Sequence, residues 1–267
     1  MSRASAAGGI LEQIVARTRA RLAAETFDWQ AAARAARQRA ERRQHFVFSE
    51  AITRNGQISV IAEIKSASPS AGSIVENPDV ETIAADYRRG GAAALSVVTE
   101  PDFFRGSREW ISRATTSAGL PAIMKDFVID PSQLYRGVAA GADAILLLAS
   151  LLDPLQIREF IGILDEFGCD ALVEVHDERE LARAVEGEAR LIGVNNRDLR
   201  DFRVDLATSE RLSAQMPRGV IKVAESGIKT PADVDRLRAA GFDAFLVGES
   251  LLRQSDRAAA VAALVER

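Results

Sequence analysis

Eight short runs rich in Val, Ile, Leu and Ala recur along the chain, at residues 60–64, 94–98, 122–125, 144–148, 171–175, 191–194, 220–224 and 244–247. Between them lie stretches such as DVETIAADYRRGGA, LQIREFIGILDEFG and PADVDRLRAAGFDA, in which apolar residues return every three or four positions with charges on the other face. That period belongs to an amphipathic helix. Pro131, Pro154 and Pro231 stand where three of these helices begin, a position Pro tolerates because the N–H it lacks has no helical partner there. Strict alternation of strand and helix requires right-handed crossovers and hence a parallel sheet. Eight units in about 210 residues match a closed (β/α)8 barrel. The rival is a doubly wound open sheet, which usually has fewer units and often opens on a Gly-rich dinucleotide turn. Here GGAAAL precedes a strand instead of following one, so that fingerprint is missing.

The first 57 residues fall outside the repeat. Residues 9–25 read as an amphipathic helix carrying Ile10, Ile14, Val15, Thr18 and Leu22 on one side. AAARAARQRAERR reads as a second, basic helix with its charges on a solvated face. The expected organisation is an N-terminal helical extension over 1–57, packed on a barrel catalytic domain over 58–267.

In a (β/α)8 barrel, chemistry sits at the C-terminal ends of the strands and in the loops that follow. Read in order, those ends carry Glu63 and Lys65; Thr99 and Glu100; Lys125 and Asp126; Ser150; Glu174 and His176; Asn195, Asn196 and Arg197; Glu225, Ser226 and Gly227; and Gly248, Glu249 and Ser250. The strand middles are almost wholly aliphatic. A buried charge is costly unless paired, so acids and bases at most strand ends imply a shared polar mouth. Alternation along a strand puts Glu63 and Lys65 on one face and keeps Lys125 and Asp126 from both pointing inward. The Ser-Gly and Gly-Glu-Ser turns of the last two units suit a phosphate held by backbone N–H groups.

Composition narrows the reading further. The net charge is −4 and the pI about 5.5, giving no sign of a nucleic-acid partner. One cysteine, Cys169, fits a reducing compartment. Two histidines and no Cys/His cluster argue against a metal centre. The N-terminus lacks a signal-peptide core, and AILLLASLL is too short to span a bilayer. A soluble, cytoplasmic protein with no membrane partner is expected. The residues alone thus lead to a phosphorylated small-molecule substrate and acid–base chemistry by Lys and Glu, with no metal or redox cofactor.

The segments IAEIKSASPSAG, ALSVVTEPDFFRGS, MKDFVIDPSQLY, GADAILLLAS, LVEVHDERE, IGVNNRDL, ESGIKTPADV and LVGESLLR, in this order, resemble the indole-3-glycerol phosphate synthase family over nearly the whole chain. The opening ILEQIVA of the extension resembles it too. Two departures, Ala71 where a basic residue is frequent and VAESG where VSESG is common, touch none of the assigned residues. The resemblance implies a carboxy-lyase of tryptophan biosynthesis that needs no cofactor. It closes the ring of 1-(2-carboxyphenylamino)-1-deoxyribulose 5-phosphate and releases CO2 and water.

By motif, Lys125 matches the general acid of ring closure and Glu174 the second catalytic group, serving dehydration. Lys65 is expected to pair with a substrate anion, carboxylate or phosphate, and Glu63 to tune the lysines. Asn195 and Arg197 would orient the catalytic groups and the substrate. Ser68, Pro69, Phe104 and Phe127 would line the anthranilate pocket, and Ser226, Gly227, Gly248 and Ser250 would hold the phosphate. His176 is taken as a bystander of its motif and His45 as structural. Two alternatives stand beside this reading. One is another phosphate-binding barrel such as phosphoribosylanthranilate isomerase, which wants a Cys/Asp pair. The other is a non-catalytic barrel that only binds a phosphorylated ligand. Association with other enzymes of the pathway is left open.

Overall fold

A computed structural model of the chain describes residues 9–54, 57–198 and 202–266. Eight parallel strands close on themselves: β1 (Ser59–Ile64), β2 (Ala94–Val98), β3 (Ala122–Lys125), β4 (Ala144–Leu148), β5 (Asp170–Val175), β6 (Leu191–Asn195), β7 (Ile221–Glu225) and β8 (Ala244–Val247). Closure comes from β1 pairing β8, with Ser59 opposite Ala244 and Ala62 opposite Val247. On its other side β1 pairs β2, with Ile61 opposite Ala94. The open sheet is therefore excluded. The strands lie within a residue or so of the expected runs. The difference that matters is β7, which runs on to Glu225 because the ladder sets Asn195 opposite Glu225.

Side chains alternate along each strand. Ile61, Ile123, Leu146, Leu172, Val223 and Leu246 fill the barrel interior. Their neighbours Val60, Ala62, Leu95, Val97 and Val173 pack outward under the helices. Those helices are α4 (Val80–Arg89), α5 (Glu109–Ala118), α6 (Pro131–Ala139), α7 (Pro154–Asp165), α8 (Glu178–Glu186), α9 (Ala207–Ser213), α10 (Pro231–Ala239), α11 (Glu249–Leu252) and α12 (Arg257–Val265). The three Pro-initiated helices also carry reciprocal caps, from Asp130 with Gln133, Asp153 with Gln156 and Thr230 with Asp233. Such a cap satisfies N–H groups the helix cannot.

Three helices precede the barrel: α1 (Ile10–Ala24), α2 (Trp29–Ala40) and α3 (Val47–Ile52). The third was not separated in the sequence. It plugs the lower end of the barrel, where Phe48 and Ile52 are fully buried among the interior residues. Two contacts fix it to the start of β5: Phe46 N–H donates to Gly168 O at 2.7 Å and Ser49 N–H to Asp170 Oδ2 at 2.9 Å.

The basic run of α2 needs correcting, because it is not simply a solvated face. Arg39 pairs with Asp143, and Arg43 reaches the same carboxylate with bonds of 2.7 and 2.8 Å. The Asp143 side chain is fully buried and also accepts the Ala122 N–H at 3.0 Å. A buried carboxylate demands such partners, and α2 together with the turn that follows it supplies them. At the other end of the barrel, Arg17 and Arg21 of α1 pair with Asp102 in the loop after β2. This brings Ile10, Leu11 and Ile14 over the barrel mouth.

Candidate active site

The C-terminal ends of the strands open into a cavity of about 860 Å³. Every residue expected to have a catalytic, substrate or phosphate role borders it. At its floor, Lys125 Nζ donates to Glu174 Oε2 at 2.8 Å and to Glu225 Oε2 at 2.9 Å. Asn195 Nδ2 donates to the other Glu174 oxygen at 3.1 Å. On the neighbouring wall Lys65 Nζ lies 2.6 Å from Glu63 Oε1. Ser96 Oγ approaches Glu63 Oε2 at 3.4 Å. Lys125 does point inward while Asp126 turns aside, accepting from Thr99 Oγ1 at 2.7 Å and from the Phe127 N–H at 2.8 Å.

Burial would discharge Lys125, but the charges of Glu174, Glu225 and Glu63 outweigh it and raise its pKa. Burial likewise pushes Glu63 up, and Lys65 with Lys125 brings it below the usual carboxylate range. The two glutamates on Lys125 part ways. Against the effect of burial, Lys125 and His176 hold Glu174 low, at about 2. Glu225 is pushed up by burial and by the Glu174 charge, more than Lys125 can offset, to about 8. The pair is thus pushed apart, Glu174 toward the ionised form and Glu225 toward the protonated one.

Glu225 is the floor residue that received no role from the sequence. The signal was available: Val223 fills the interior, so alternation sends Glu225 inward as well. Room for it comes from Gly193 on β6, where a Cβ would stand 2.2 Å from Glu225 Oε1. Gly248 does the same for Glu63, whose Oε1 would lie 2.4 Å from an added Cβ. The stability cost of Glu225 has a definite sign. Between its ordinary 4.5 and about 8 the folded chain binds more protons than the unfolded one, so stability falls as pH rises through that window. Glu225→Gln should therefore gain Tm relative to wild type from about pH 5 to about pH 8. A Tm difference that stays flat across that range contradicts the assignment.

The rest of the mouth is less charged. Phe104 and Phe127 face each other with centroids 5.8 Å apart, forming an aromatic wall. Ser68 and Pro69 close over it from the loop after β1, where Ser68 Oγ accepts the Ala71 N–H at 3.1 Å. The Arg197 N–H donates to Asn195 Oδ1 at 3.0 Å, coupling the two residues after β6. Beside them, after the neighbouring strand β7, Ser226 and Gly227 take successive positive φ values of 65° and 83°. Gly227, with no side chain, lets a ligand approach the backbone here closely. Ser250 Oγ donates to Ile228 O at 3.2 Å and ties the loops after β7 and β8 together. Among the described residues, no group of three His, Cys, Asp or Glu is placed to hold a metal ion.

The model of the indole-3-glycerol phosphate synthase family matches residues 11–264. The chain belongs to the indole-3-glycerol phosphate synthase family. It is 48% identical over 210 residues to the indole-3-glycerol phosphate synthase of Chlorobaculum tepidum, covering 78% of this chain and 82% of that one. It is 44% identical over 219 residues to that of Ruminiclostridium cellulolyticum, with 82% and 84% covered. Among solved structures, a 3-hexulose-6-phosphate synthase superposes with a TM-score of 0.59 at 16% identity, covering 78% of this chain and 98% of that one. A thiamine phosphate pyrophosphorylase of Pyrococcus furiosus gives 0.58 at 16%, covering 79% and 95%. At such identities these two show a shared barrel and nothing more. Family membership comes from the sequence match, and Lys125 between Glu174 and Glu225 is the feature of this synthase-family barrel around which its chemistry is best built.

Proposed function

We propose that the chain converts 1-(2-carboxyphenylamino)-1-deoxyribulose 5-phosphate to indole-3-glycerol phosphate, CO2 and water, as a step of tryptophan biosynthesis in the cytoplasm, without a cofactor. The observation that carries this is the Lys125 ammonium held between two buried carboxylates at the cavity floor. Ring closure needs a proton for the carbonyl oxygen as the aryl carbon attacks. The oxygen that develops there is a stronger base than an amine, so even a lysine of raised pKa gives its proton up to it. Glu225, holding a proton 2.9 Å away, can restore it. Loss of the substrate carboxylate as CO2 then discharges the cationic intermediate. Dehydration needs a group that removes one proton and assists a departing hydroxyl, and ionised Glu174 fits that task.

Lys65, beside Glu63, presents a cation to a substrate anion, and Glu63 stabilises positive charge on the substrate. Asn195 holds Glu174 in place. The Phe104–Phe127 wall takes the aryl ring, and the backbone at Ser226 and Gly227, with Gly248 and Ser250, takes the phosphate. Arg197, which borders the cavity after β6, pairs with the substrate. Arg197→Ala should raise KM about tenfold or more with a smaller change in kcat, the loss of binding shared by ground and transition state. Unchanged KM removes Arg197 from the substrate site.

An isomerase reading needs a Cys near the mouth, whereas Cys169 is buried just ahead of β5, with its Sγ 3.7 Å from Ala142 O. The direct test is incubation of the purified chain with the carboxyphenylamino substrate and a chelator, following indole fluorescence. Fluorescent product forms at an enzymatic rate under this reading; its absence from a folded sample refutes it.

A further inference from the structure

His176 follows Glu174 by two positions, so both side chains leave the β5 end on one face. The ring is clamped. Its Nδ1 lies 2.9 Å from Glu180 Oε2 of α8, and the same oxygen accepts the His176 backbone N–H at 2.8 Å. Nε2 faces Glu174 Oε1 at 3.3 Å, is buried and has no hydrogen-bond partner. Only 14% of the side chain is exposed. Glu174 therefore has a cation, Lys125, on one oxygen, and Asn195 with the imidazole on the other.

The clamp constrains where protons sit. An ionised carboxylate only accepts, so Glu180 fixes a hydrogen on Nδ1. A hydrogen on Nε2 as well makes the contact with Glu174 attractive. A bare Nε2 would set its lone pair against those of Oε1. The groups that raise the ring's pKa are Glu180 on α8, Glu174 on its own strand and Glu225 on β7, with the Lys125 cation on the far oxygen of Glu174. Burial pulls the imidazole down, and the Glu180 hydrogen bond with these acidic neighbours, Glu174 ahead of Glu225, outweighs it, so the pKa is raised.

We propose that His176, clamped by Glu180, is a positioning residue for Glu174 whose own protonation sets the pH above which turnover declines. The proposal rests on the dehydration role given to Glu174 above. Its logic lies in what ring closure does to Lys125. Until Glu225 restores the proton that Lys125 gives the substrate, Glu174 lacks the cation on one oxygen while still buried, and afterwards the newly ionised Glu225 competes with it for Lys125. An uncompensated buried carboxylate picks up a proton or shifts. The imidazolium on the other oxygen keeps Glu174 ionised and in place for the next step.

The sign follows from a raised pKa: the contribution is complete below the ordinary histidine value of 6.5 and is lost as pH rises through the raised one. The chain has two histidines, so the His176 ring resonance is identified by its absence from His176→Gln. Its NMR titration midpoint in wild type should lie above 6.5, and Glu180→Gln should lower it. His176→Gln should cut kcat about tenfold, leave KM within about twofold and abolish the basic limb of the kcat profile. Should that variant fail to fold, the near-isosteric Glu180→Gln carries the test, its basic limb moving down in pH with the NMR midpoint. A wild-type midpoint at or below 6.5, or unchanged profiles in the folded variants, overturns the proposal. Glu174→Gln separates the two readings. It lowers the His176 midpoint if the contact is as described, and retained turnover in that variant would sink the catalytic role of Glu174 alone.

Discussion

Lys125→Ala should lose turnover by about 10³-fold or more while KM moves by no more than about threefold. The asymmetry follows from where the ammonium sits. It is buried at the cavity floor with its contacts taken by Glu174 and Glu225, so before reaction it binds protein carboxylates more than substrate. Its contribution to the substrate begins when the carbonyl oxygen starts to carry charge. Removing it also leaves Glu174 without its strongest partner, and an unpaired buried charge destabilises by about 3–5 kcal/mol. Thermal unfolding should therefore be recorded beside the kinetics. A folded Lys125→Ala protein with kcat near wild type removes this residue as the acid of ring closure. A variant whose loss lies wholly in KM makes it a binding residue.

Glu174→Gln should also lose indole formation by about 10²–10⁴-fold, and the step that fails should be identifiable. The amide keeps an oxygen for Asn195 Nδ2 and the shape of the side chain, so the cavity is preserved. Under the proposed roles, ring closure and loss of CO2 draw on Lys125, while dehydration draws on Glu174. A single-turnover mixture should then release about one equivalent of labelled CO2 with little indole product, the unfinished ring remaining on the protein or in solution. Equal yields of CO2 and indole, both slowed together, would place Glu174 at or before decarboxylation and require a different group for dehydration.

Much of this site could be read from the chain because a barrel turns sequence order into spatial convergence. Glu63, Lys65, Lys125, Glu174, Asn195 and Arg197 stand at ends of four strands, and closure brings those ends to one mouth without further instruction. What stayed hidden has physical causes. Glu225 stood among the strand-end acids without a role, although alternation from Val223 places it on the floor beside Lys125. His176 offered only its motif. The carboxylate that fixes its ring stands on the next helix, and nothing in the local pattern says that Glu180 turns back toward it. The Arg39 and Arg43 pairing with Asp143 crosses about 100 residues, so a helix face that looks solvated in isolation is half engaged in the fold. The α3 plug is six residues long, below the length at which helical periodicity declares itself.

The central claim is that one substrate spans this mouth, with its carbonyl oxygen at Lys125 and its phosphate at the opposite rim. A crystal structure of Glu174→Gln soaked with the carboxyphenylamino substrate tests it most directly. The account predicts the carbonyl oxygen, or the hydroxyl formed from it, within hydrogen-bond distance of Lys125 Nζ, and the phosphate on the backbone N–H groups around Gly227 and Ser250. A bound substrate whose carbonyl lies away from Lys125, or whose phosphate sits elsewhere, contradicts it.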